Sequence, residues 1–514
     1  MSSKKIISLE NIRFLRIISL ENIIFSQIIS LDYFLFRNFT ACNTGIYQFN
    51  KNTFTTTIMY YKRNIDKYLS EWASRDTRKP ILLRGARQVG KSTAVRQLGR
   101  QFASYVEINL EREPQYKAAF LPDLNVARII SQISAICRRR IEPGKTLLFI
   151  DEIQECPEAI MSLRFFKEDM PTLHVIAAGS LLEFALESLP TFGVGRIHSM
   201  FMYPMTFDEF LIANGEDLLM EARDQATSSS PLPLPLHDKL VGLLRTYMLV
   251  GGMPECVAKW VSTHDYLLCQ EVQDDILTSY EDDFPKYRKR IDSTLLRHTL
   301  RSAAVQATKK FVFSQVGDYK TTDVKRALEM LTLAGILIPV THTDANGLPL
   351  GSEANTSYRK YLLLDVGLTL RLLHMSLGDI SDITTHILTA TSADLVNKGA
   401  MAELVAGLEL LHYQTPNLRH ELYYWVRLSK NALAEIDYLL PYRLHVLPIE
   451  VKAGTQGGMK SLWSFMRDKH LTDAVRCSLE NFGSFDYTDK EDNGAIRHIR
   501  ICPLYALASL FRNS

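Results

Sequence analysis

Residues 85–92 read GARQVGKS, a spacing of glycine, lysine and serine that is typical of a phosphate-binding loop. The loop follows the apolar run 81–83 and precedes a helix-like stretch, which is the context in which such loops bind phosphate. Gly85 and Gly90 would let backbone N–H groups close around phosphates, and Lys91 would reach the β and γ phosphates. The helix that follows directs its positive end at the same anion. This segment therefore predicts a nucleotide site.

A second motif supplies carboxylates for the same chemistry. The apolar run TLLFIDEIQ at 146–154 ends in Asp151 and Glu152. Ser92 would ligate Mg²⁺, Asp151 would hold the Mg²⁺ shell, and Glu152 would orient or deprotonate the attacking water. Thr93 lies in the same helical turn as Ser92 and is included among the nucleotide-binding residues. Either motif alone is compatible with a surface turn or a buried strand with a polar end; in this order, the two predict nucleotide binding.

Two further polar residues follow apolar runs downstream. Ser180 ends the run HVIAAGS, where its side chain could sense the γ-phosphate or could cap the helix that follows. Arg196 follows a glycine in FGVGRIHSMF, and an arginine there could neutralise transition-state charge at a neighbouring subunit's nucleotide, an effect worth roughly 10³ to 10⁵ in rate. A surface salt bridge is the alternative for Arg196. The first interpretation of Arg196 requires a homo-oligomer.

The C-terminal part of the sequence contains residues suited to phosphodiester hydrolysis. Two strand-like runs span 434–454, and Glu450 and Lys452 project from one face of the second run because side chains alternate along a strand. Asp437 lies on the first run, and Glu403 lies on an upstream helix, off its apolar face. Three carboxylates can chelate Mg²⁺ or Mn²⁺, and a lysine beside the metal can activate water or stabilise a pentavalent phosphate. The alternative is an ordinary solvated strand face.

Composition excludes several classes of protein. The chain has 514 residues, 46% of them hydrophobic, which exceeds the size at which a single core stops growing and predicts two or three domains. A formal net charge of +2 gives no global attraction to nucleic acid or anionic membrane. The seven cysteines have no metal-ligand spacing, which favours reduced thiols in a cytoplasmic protein. Apolar runs of about 18 residues are absent from the sequence, so we expect no membrane-spanning helix.

The order of strand-like and helix-like segments divides the sequence into regions. From 59 to 225 the two alternate, which predicts a parallel sheet covered by helices and hence an α/β fold. The region 226–295 begins with the linker-like run ATSSSPLPLPL and continues as helices. The region 296–375 reads as helices followed by a hairpin, which is the outline of a winged helix. One helix and several strands occupy 380–514.

Residues 1–58 differ from the rest of the sequence. The segment IISLEN occurs at 6–11 and at 17–22, and IISLD follows at 28–32, which is an 11-residue period. Such a period can mark a right-handed coiled coil, but identity at polar as well as apolar positions points to duplicated DNA. We therefore expect translation to begin at Met59. The alternative is an Ile-rich, poorly ordered or aggregation-prone tail.

From Met59 to about residue 510 the sequence resembles prokaryotic AAA+ family ATPases that have a C-terminal DUF4143 region. The matching segments, in order, are LLRGARQVGKST, LLFIDEIQ, AAGSLLEF, GRIHSMFMYPMTFDEFL, YMLVGGMPECV, EIDYLL and PIEVKAG. The resemblance implies a P-loop AAA+ ATPase core with ATP and Mg²⁺ as ligands, a helical lid, a winged helix and a C-terminal α/β domain similar to PD-(D/E)XK restriction endonucleases. It implies nuclease-like roles for Glu403, Asp437, Glu450 and Lys452.

Three functions fit these patterns. The leading one is an ATPase that couples ATP hydrolysis to a winged helix and a nuclease-like module acting on DNA. The second is a nucleotide-dependent regulatory or signalling switch whose C-terminal fold is catalytically inactive, and metal-dependent cleavage would separate the two. A nucleotide kinase shares the phosphate-binding loop, but it is disfavoured because the carboxylate pair ends a strand and the sequence indicates no second small-substrate pocket.

Overall fold

The computed structural model of the protein describes residues 60–189, 195–287, 291–373, 398–427, 434–452 and 458–512. The contacts between residues group Met59–Ser514 into one unit. The 11-residue repeats and the expected translation start concern residues that lie outside the described part of the chain.

The N-terminal part of this unit is an α/β core. Its strands are β1 (Ile81–Arg84), β2 (Ser104–Asn109), β3 (Thr146–Asp151), β4 (His174–Ala178) and β5 (His198–Phe201). Its helices are α1 (Asn64–Ala73), α2 (Lys91–Gly99), α3 (Val126–Cys137), α4 (Pro157–Asp169), α5 (Leu182–Ser188) and α6 (Phe207–Ala213).

The five strands form one sheet in the order β2-β3-β4-β1-β5, and every neighbouring pair is parallel. All residues of β3 and β4 are buried, as expected for strands covered by helices on both faces. Because the carboxyl ends of parallel strands meet at one edge, the loops after β1, β3 and β4 lie together there. The predicted α/β class and P-loop core are confirmed, and this edge positions the nucleotide site.

Helices and one hairpin follow the core. The helices are α7 (Asp217–Gln225), α8 (Leu234–Val250), α9 (Pro254–Thr263), α10 (Tyr266–Asp283), α11 (Ser293–Val305) and α12 (Thr321–Leu333). The hairpin consists of β6 (Leu337–Thr343) and β7 (Ala354–Leu363), and α13 (Val366–Leu372) follows it. This is the order of elements that the sequence predicted for a winged helix, and that assignment stays a prediction.

The C-terminal part alternates strands with a few helices. Its helices are α14 (Lys398–His412), α15 (Lys460–Asp468) and α16 (Ser509–Arg512). Its strands are β8 (Leu422–Val426), β9 (Glu435–Tyr442), β10 (His445–Val451), β11 (Asp473–Ser478), β12 (Gly483–Asp489) and β13 (Ala495–Pro503).

These six strands and the hairpin β6–β7 form a mixed eight-stranded sheet in the order β12-β13-β11-β10-β9-β8-β6-β7. The hairpin β6–β7 belongs to this sheet because β6 pairs in parallel with β8, with Val340 opposite Leu422. The predicted boundary between the hairpin region and the C-terminal region therefore separates two segments of the chain that share one sheet. Among the described residues, we find no helix with the length and apolarity that crossing a bilayer requires.

Candidate functional site

The phosphate-binding loop joins β1 to α2, and both of its glycines have backbone conformations that favour glycine. Gly85 has a φ of +144°, and a Cβ there would lie 2.1 Å from the carbonyl oxygen of Met202. Gly90 has a φ of +96° and precedes α2 without donating or accepting a side-chain cap. The first-turn N–H groups of α2 are thus left to bind an anion, and they lie at the positive end of the helix.

The ammonium group of Lys91 lies inside this loop. Its Nζ donates to the carbonyl oxygens of Gly85 at 2.9 Å and Ala86 at 2.7 Å, and only 8% of the residue is exposed. Burial lowers the pKa of Lys91 to about 8, although Glu152 and Asp151 oppose this shift. A cation held only by two loop carbonyls can exchange these acceptors for phosphate oxygens.

The structure brings Ser92 and Asp151 together. The Ser92 hydroxyl donates to Asp151 Oδ2 at 3.0 Å, and Asn109 Nδ2 lies 3.4 Å from the same oxygen. Burial, and next the neighbouring Glu152, raise the pKa of Asp151. The Ser92 hydroxyl and the Asp151 carboxylate, which lies beside a second negative charge, offer oxygen ligands of the kind that Mg²⁺ prefers. Thr93, in the next position of α2, is exposed to solvent.

Glu152 follows β3 in a left-handed backbone conformation, with φ 49° and ψ 46°. Such a conformation is uncommon outside glycine and is often found at functional sites. Its Oε2 accepts hydrogen bonds from Gln154 Nε2 at 2.7 Å and from the Ser180 hydroxyl at 3.4 Å. A Cβ on Gly179 would lie 2.1 Å from Gln154 Oε1, so the glycine leaves room for Gln154. Groups from two strand ends therefore orient the Glu152 carboxylate.

Two predictions for single polar residues can be compared with the structure. Helix α5 begins at Leu182 with Leu181 as its N-cap residue and no side-chain cap, so the helix-cap role for Ser180 is wrong. Arg196 precedes β5 with its side chain 55% exposed, and its Nε donates to Glu168 Oε1 at 3.1 Å. Arg196 makes the surface ion pair within its own chain. Its role at a neighbouring subunit stays a prediction.

Beside the C-terminal sheet, three carboxylates lie close together, and two of them pair with one lysine. Oxygens of Glu403, Glu435 and Asp437 lie within 4.8 Å of one another, and we call these three residues the carboxylate cluster. Lys360 Nζ, on β7, lies 2.7 Å from Glu403 Oε1 and also pairs with Glu435 Oε1. Burial opposes protonation of Lys360, but the three carboxylates outweigh this effect and raise its pKa.

Glu450 and Lys452 lie at the end of β10, beside the cluster. The pairing of Ile449 with Tyr438 places Glu450 next to Asp437 across the two strands. The Val451 N–H donates to Asp437 Oδ2 at 2.7 Å, and Lys452 Nζ lies 2.5 Å from Glu450 Oε1. Burial and the charge of Asp437 raise the pKa of Glu450. The four predicted residues are thus in one region, although the tightest group contains Glu435 in place of Glu450.

Comparisons with known families agree with this geometry. Residues 77–211 match the AAA domain family, and residues 398–504 match DUF4143, a domain of unknown function. The chain thus contains an AAA domain and, nearer its C-terminal end, a DUF4143 domain. Between the two, residues 241–378 match a further domain of unknown function, DUF8612. The resemblance drawn from the sequence motifs is confirmed, and the AAA domain is a nucleotide-binding ATPase domain.

Solved structures similar to the chain have low identity to it. A Walker-type ATPase of Pyrococcus abyssi is 15% identical, with a TM-score of 0.39, over 61% of this chain and 96% of that chain. A RuvB variant of Thermotoga maritima is 16% identical, with a TM-score of 0.26, over 53% of this chain and 88% of that chain. No curated protein matches the chain significantly.

Residues outside the predicted set hold the phosphate-binding loop of the AAA domain. Arg87 Nη1 lies 2.6 Å from both carboxylate oxygens of Asp283, and the Tyr280 hydroxyl donates to the Arg87 carbonyl oxygen at 3.0 Å. Tyr280 and Asp283 belong to α10 in the DUF8612 match. Near the end of α12, a Cβ on Gly335 would lie 3.2 Å from the Ala86 nitrogen, so this turn also abuts the loop. Arg87 occupies a variable position of the loop motif, and no sequence pattern indicates that α10 lies beside it.

Proposed function

We propose that the protein is an ATP-driven switch, in which the AAA domain hydrolyses ATP and transmits its nucleotide state to the DUF8612 and DUF4143 domains. The observation that carries the proposal is the Arg87–Asp283 ion pair between the phosphate-binding loop and α10. The Arg87 side chain is 30% exposed and the Asp283 side chain is 8% exposed, so bulk water screens the pair only in part. A change of charge in the loop therefore acts on α10.

The AAA site contains a group for each task in ATP hydrolysis. Lys91 would bind the β and γ phosphates, and Ser92 with Asp151 would hold Mg²⁺. Mg²⁺ supplies positive charge to the phosphate oxygens when it is bound. Glu152 would orient the attacking water, and the Ser180 hydroxyl, which contacts Glu152, would respond to the γ-phosphate.

Two routes connect this site to the C-terminal sheet. Helix α10 leads along the chain to α11 and α12, and the Gly335 turn after α12 packs on the loop directly. Strand β6 follows this turn and pairs with β8 of the DUF4143 domain. Because β6 is hydrogen-bonded to β8, displacement of the turn would be passed to the eight-stranded sheet through this pairing.

Hydrogen exchange of α10 tests the switch. ATP should change amide exchange of residues 266–283 in Glu152→Gln, a variant expected to bind ATP without turning it over. Adding Asp283→Asn should remove this change while ATP still binds. The matched control is Glu281→Gln, since Glu281 lies on the same helix and pairs with Arg297 at 2.9 Å. Unchanged exchange in α10 on ATP binding by Glu152→Gln would refute the coupling.

A second function, action on DNA by a nuclease-like module, is favoured by the placement of Asp437, Glu450 and Lys452. These residues adjoin one another where the start of β9 lies beside the end of β10, and their carboxylate and ammonium groups are the kinds that metal-dependent hydrolases use. Helix α12 also presents Lys325 and Arg326 to solvent, which suits contact with a phosphate backbone.

Two assays test this second function. DNA should raise the rate of ATP hydrolysis if α12 binds it, and Lys325→Ala should reduce that stimulation. Nicking of DNA that depends on Mn²⁺ or Mg²⁺ and is lost in Lys452→Ala would establish the nuclease. Lack of any metal-dependent product over several DNA forms would leave the switch as the function.

A further inference from the structure

We infer that the Lys360 ammonium is the resident cation of the carboxylate cluster and takes the place of a divalent metal there. The inference goes beyond the proposed function because it concerns the DUF4143 sheet and does not depend on the nucleotide site. It also bears on the nuclease alternative, whose chemistry would need a metal at these carboxylates.

The position of the ammonium group carries the inference. Its Nζ lies 2.7 Å from Glu403 Oε1 and in direct contact with Glu435 Oε1, and these two residues have oxygens within 4.8 Å of an Asp437 oxygen. A divalent metal held by Glu403 and Glu435 through these oxygens would lie at about 2.0 to 2.6 Å from them. An ammonium group and a metal ion cannot share this volume, and the residues as arranged therefore do not fit the metal that the nuclease resemblance implies.

The surroundings of Lys360 retain it in this position. The residue is 1% exposed, and its Nζ lies 4.8 Å from the centre of the Tyr424 ring, within cation–π range. If the buried ammonium left its carboxylates, it would lose the contact with the Tyr424 ring and the negative charges that neutralise it. The Tyr438 hydroxyl donates to the Glu403 carbonyl oxygen at 2.8 Å, which fixes the helix that carries Glu403.

The lysine and the carboxylates come from two different family matches. Lys360 lies on β7 of the DUF8612 match, opposite Val340 of β6, whereas the carboxylate cluster lies on α14 and β9 of the DUF4143 match. The ion pairs of Lys360 with Glu403 and Glu435 therefore connect β7 to α14 and β9. Lys452 is not available as this cation because it pairs with Glu450.

Binding of Mn²⁺ to the full-length protein without nucleotide tests the inference. Wild type and Asp437→Asn should give the same Mn²⁺ titration, since neither exposes the cluster to metal. Lys360→Met should gain about one Mn²⁺ per chain, and adding Asp437→Asn should remove that gain. Lys310→Met is the matched control, because Lys310 is exposed and its ammonium packs on the ring of Tyr358, on the strand that carries Lys360.

Two outcomes would overturn the inference. The first is Mn²⁺ binding by wild type that Asp437→Asn abolishes, a comparison that holds even if Lys360→Met fails to fold. The second is a folded Lys360→Met that gains no Mn²⁺. ATP turnover measured on the same samples separates this test from the proposed function, since loss of turnover would leave the Mn²⁺ result unaffected.

Discussion

The affinity for ATP should fall as the pH rises above about 8, because the phosphates bind the charged form of Lys91. Burial lowers the pKa of Lys91 to about 8 in the protein without ligand, from an ordinary value of 10.5. Phosphate oxygens beside the ammonium would restore a high pKa in the complex. Binding above pH 8 must therefore take up a proton, and each further rise in pH weakens it.

The size of this pH effect on ATP affinity follows from the lowered pKa of Lys91. For one group with a pKa of about 8, affinity should drop about tenfold between about pH 7 and about pH 9, or about 1.4 kcal/mol. The same lysine makes the stability of the fold depend on pH in the opposite direction. Its pKa is lower in the folded state than in the unfolded state, so its contribution to stability rises from about pH 8 up to the ordinary pKa and is smallest at lower pH.

Calorimetric titration of ATP into Glu152→Gln, with Mg²⁺ in excess at several pH values, measures the affinity without turnover. Lys91→Ala in the same Glu152→Gln background is the control. It should bind ATP weakly, and the lysine's contribution to the pH dependence of affinity should be lost. Affinity that stays constant across the window in the Lys91-containing protein would refute the reasoning. So would an equal slope in Lys91→Ala, because another group would then be the source.

Three further predictions concern catalysis and stability. Glu152→Gln should lower phosphate release by about 10²- to 10⁴-fold with ATP binding retained, whereas Glu155→Gln in the same turn should change it little; equal rates would remove Glu152 from its role. Arg223→Met should lower the free energy of unfolding by about 3 to 5 kcal/mol, because it removes the cation that pairs with the buried Asp208 carboxylate. An unchanged urea midpoint would contradict this. Mixing Arg196→Ala subunits with Lys91→Ala subunits should restore some ATP turnover if Arg196 acts in trans, and no recovery at any ratio would leave only its surface ion pair.

The nucleotide site was predictable because its chemistry lies in two short segments. The loop at 85–92 and the carboxylates of Asp151 and Glu152 each have a recognisable order of residues, and parallel strands bring their ends to one edge. The α/β class followed from the alternation of strand-like and helix-like runs, and the structure confirms it. The domain boundaries and the winged helix stay predictions.

The contacts around these segments could not be predicted, because they join residues far apart in the sequence. Asp283 is the partner of Arg87, yet an aspartate at the end of a helix is ordinary in sequence. Lys360 on a strand reads as a solvated residue, and only the pairing of β6 with β8 places it among carboxylates more than forty residues downstream. Arg63 likewise donates to the Val89 carbonyl oxygen at 2.9 Å, across a separation that no local pattern encodes.

The shared sheet has a consequence for how this protein can be divided. A cut between the DUF8612 and DUF4143 matches would leave β6 and β8 each with a row of unpaired backbone N–H and C=O groups. Exposed strand edges of this kind recruit other chains and promote aggregation. Either half made alone is therefore expected to be insoluble, and the two halves made together are expected to reassociate through β6 and β8. Transfer of either matched domain into another protein would therefore have to include both.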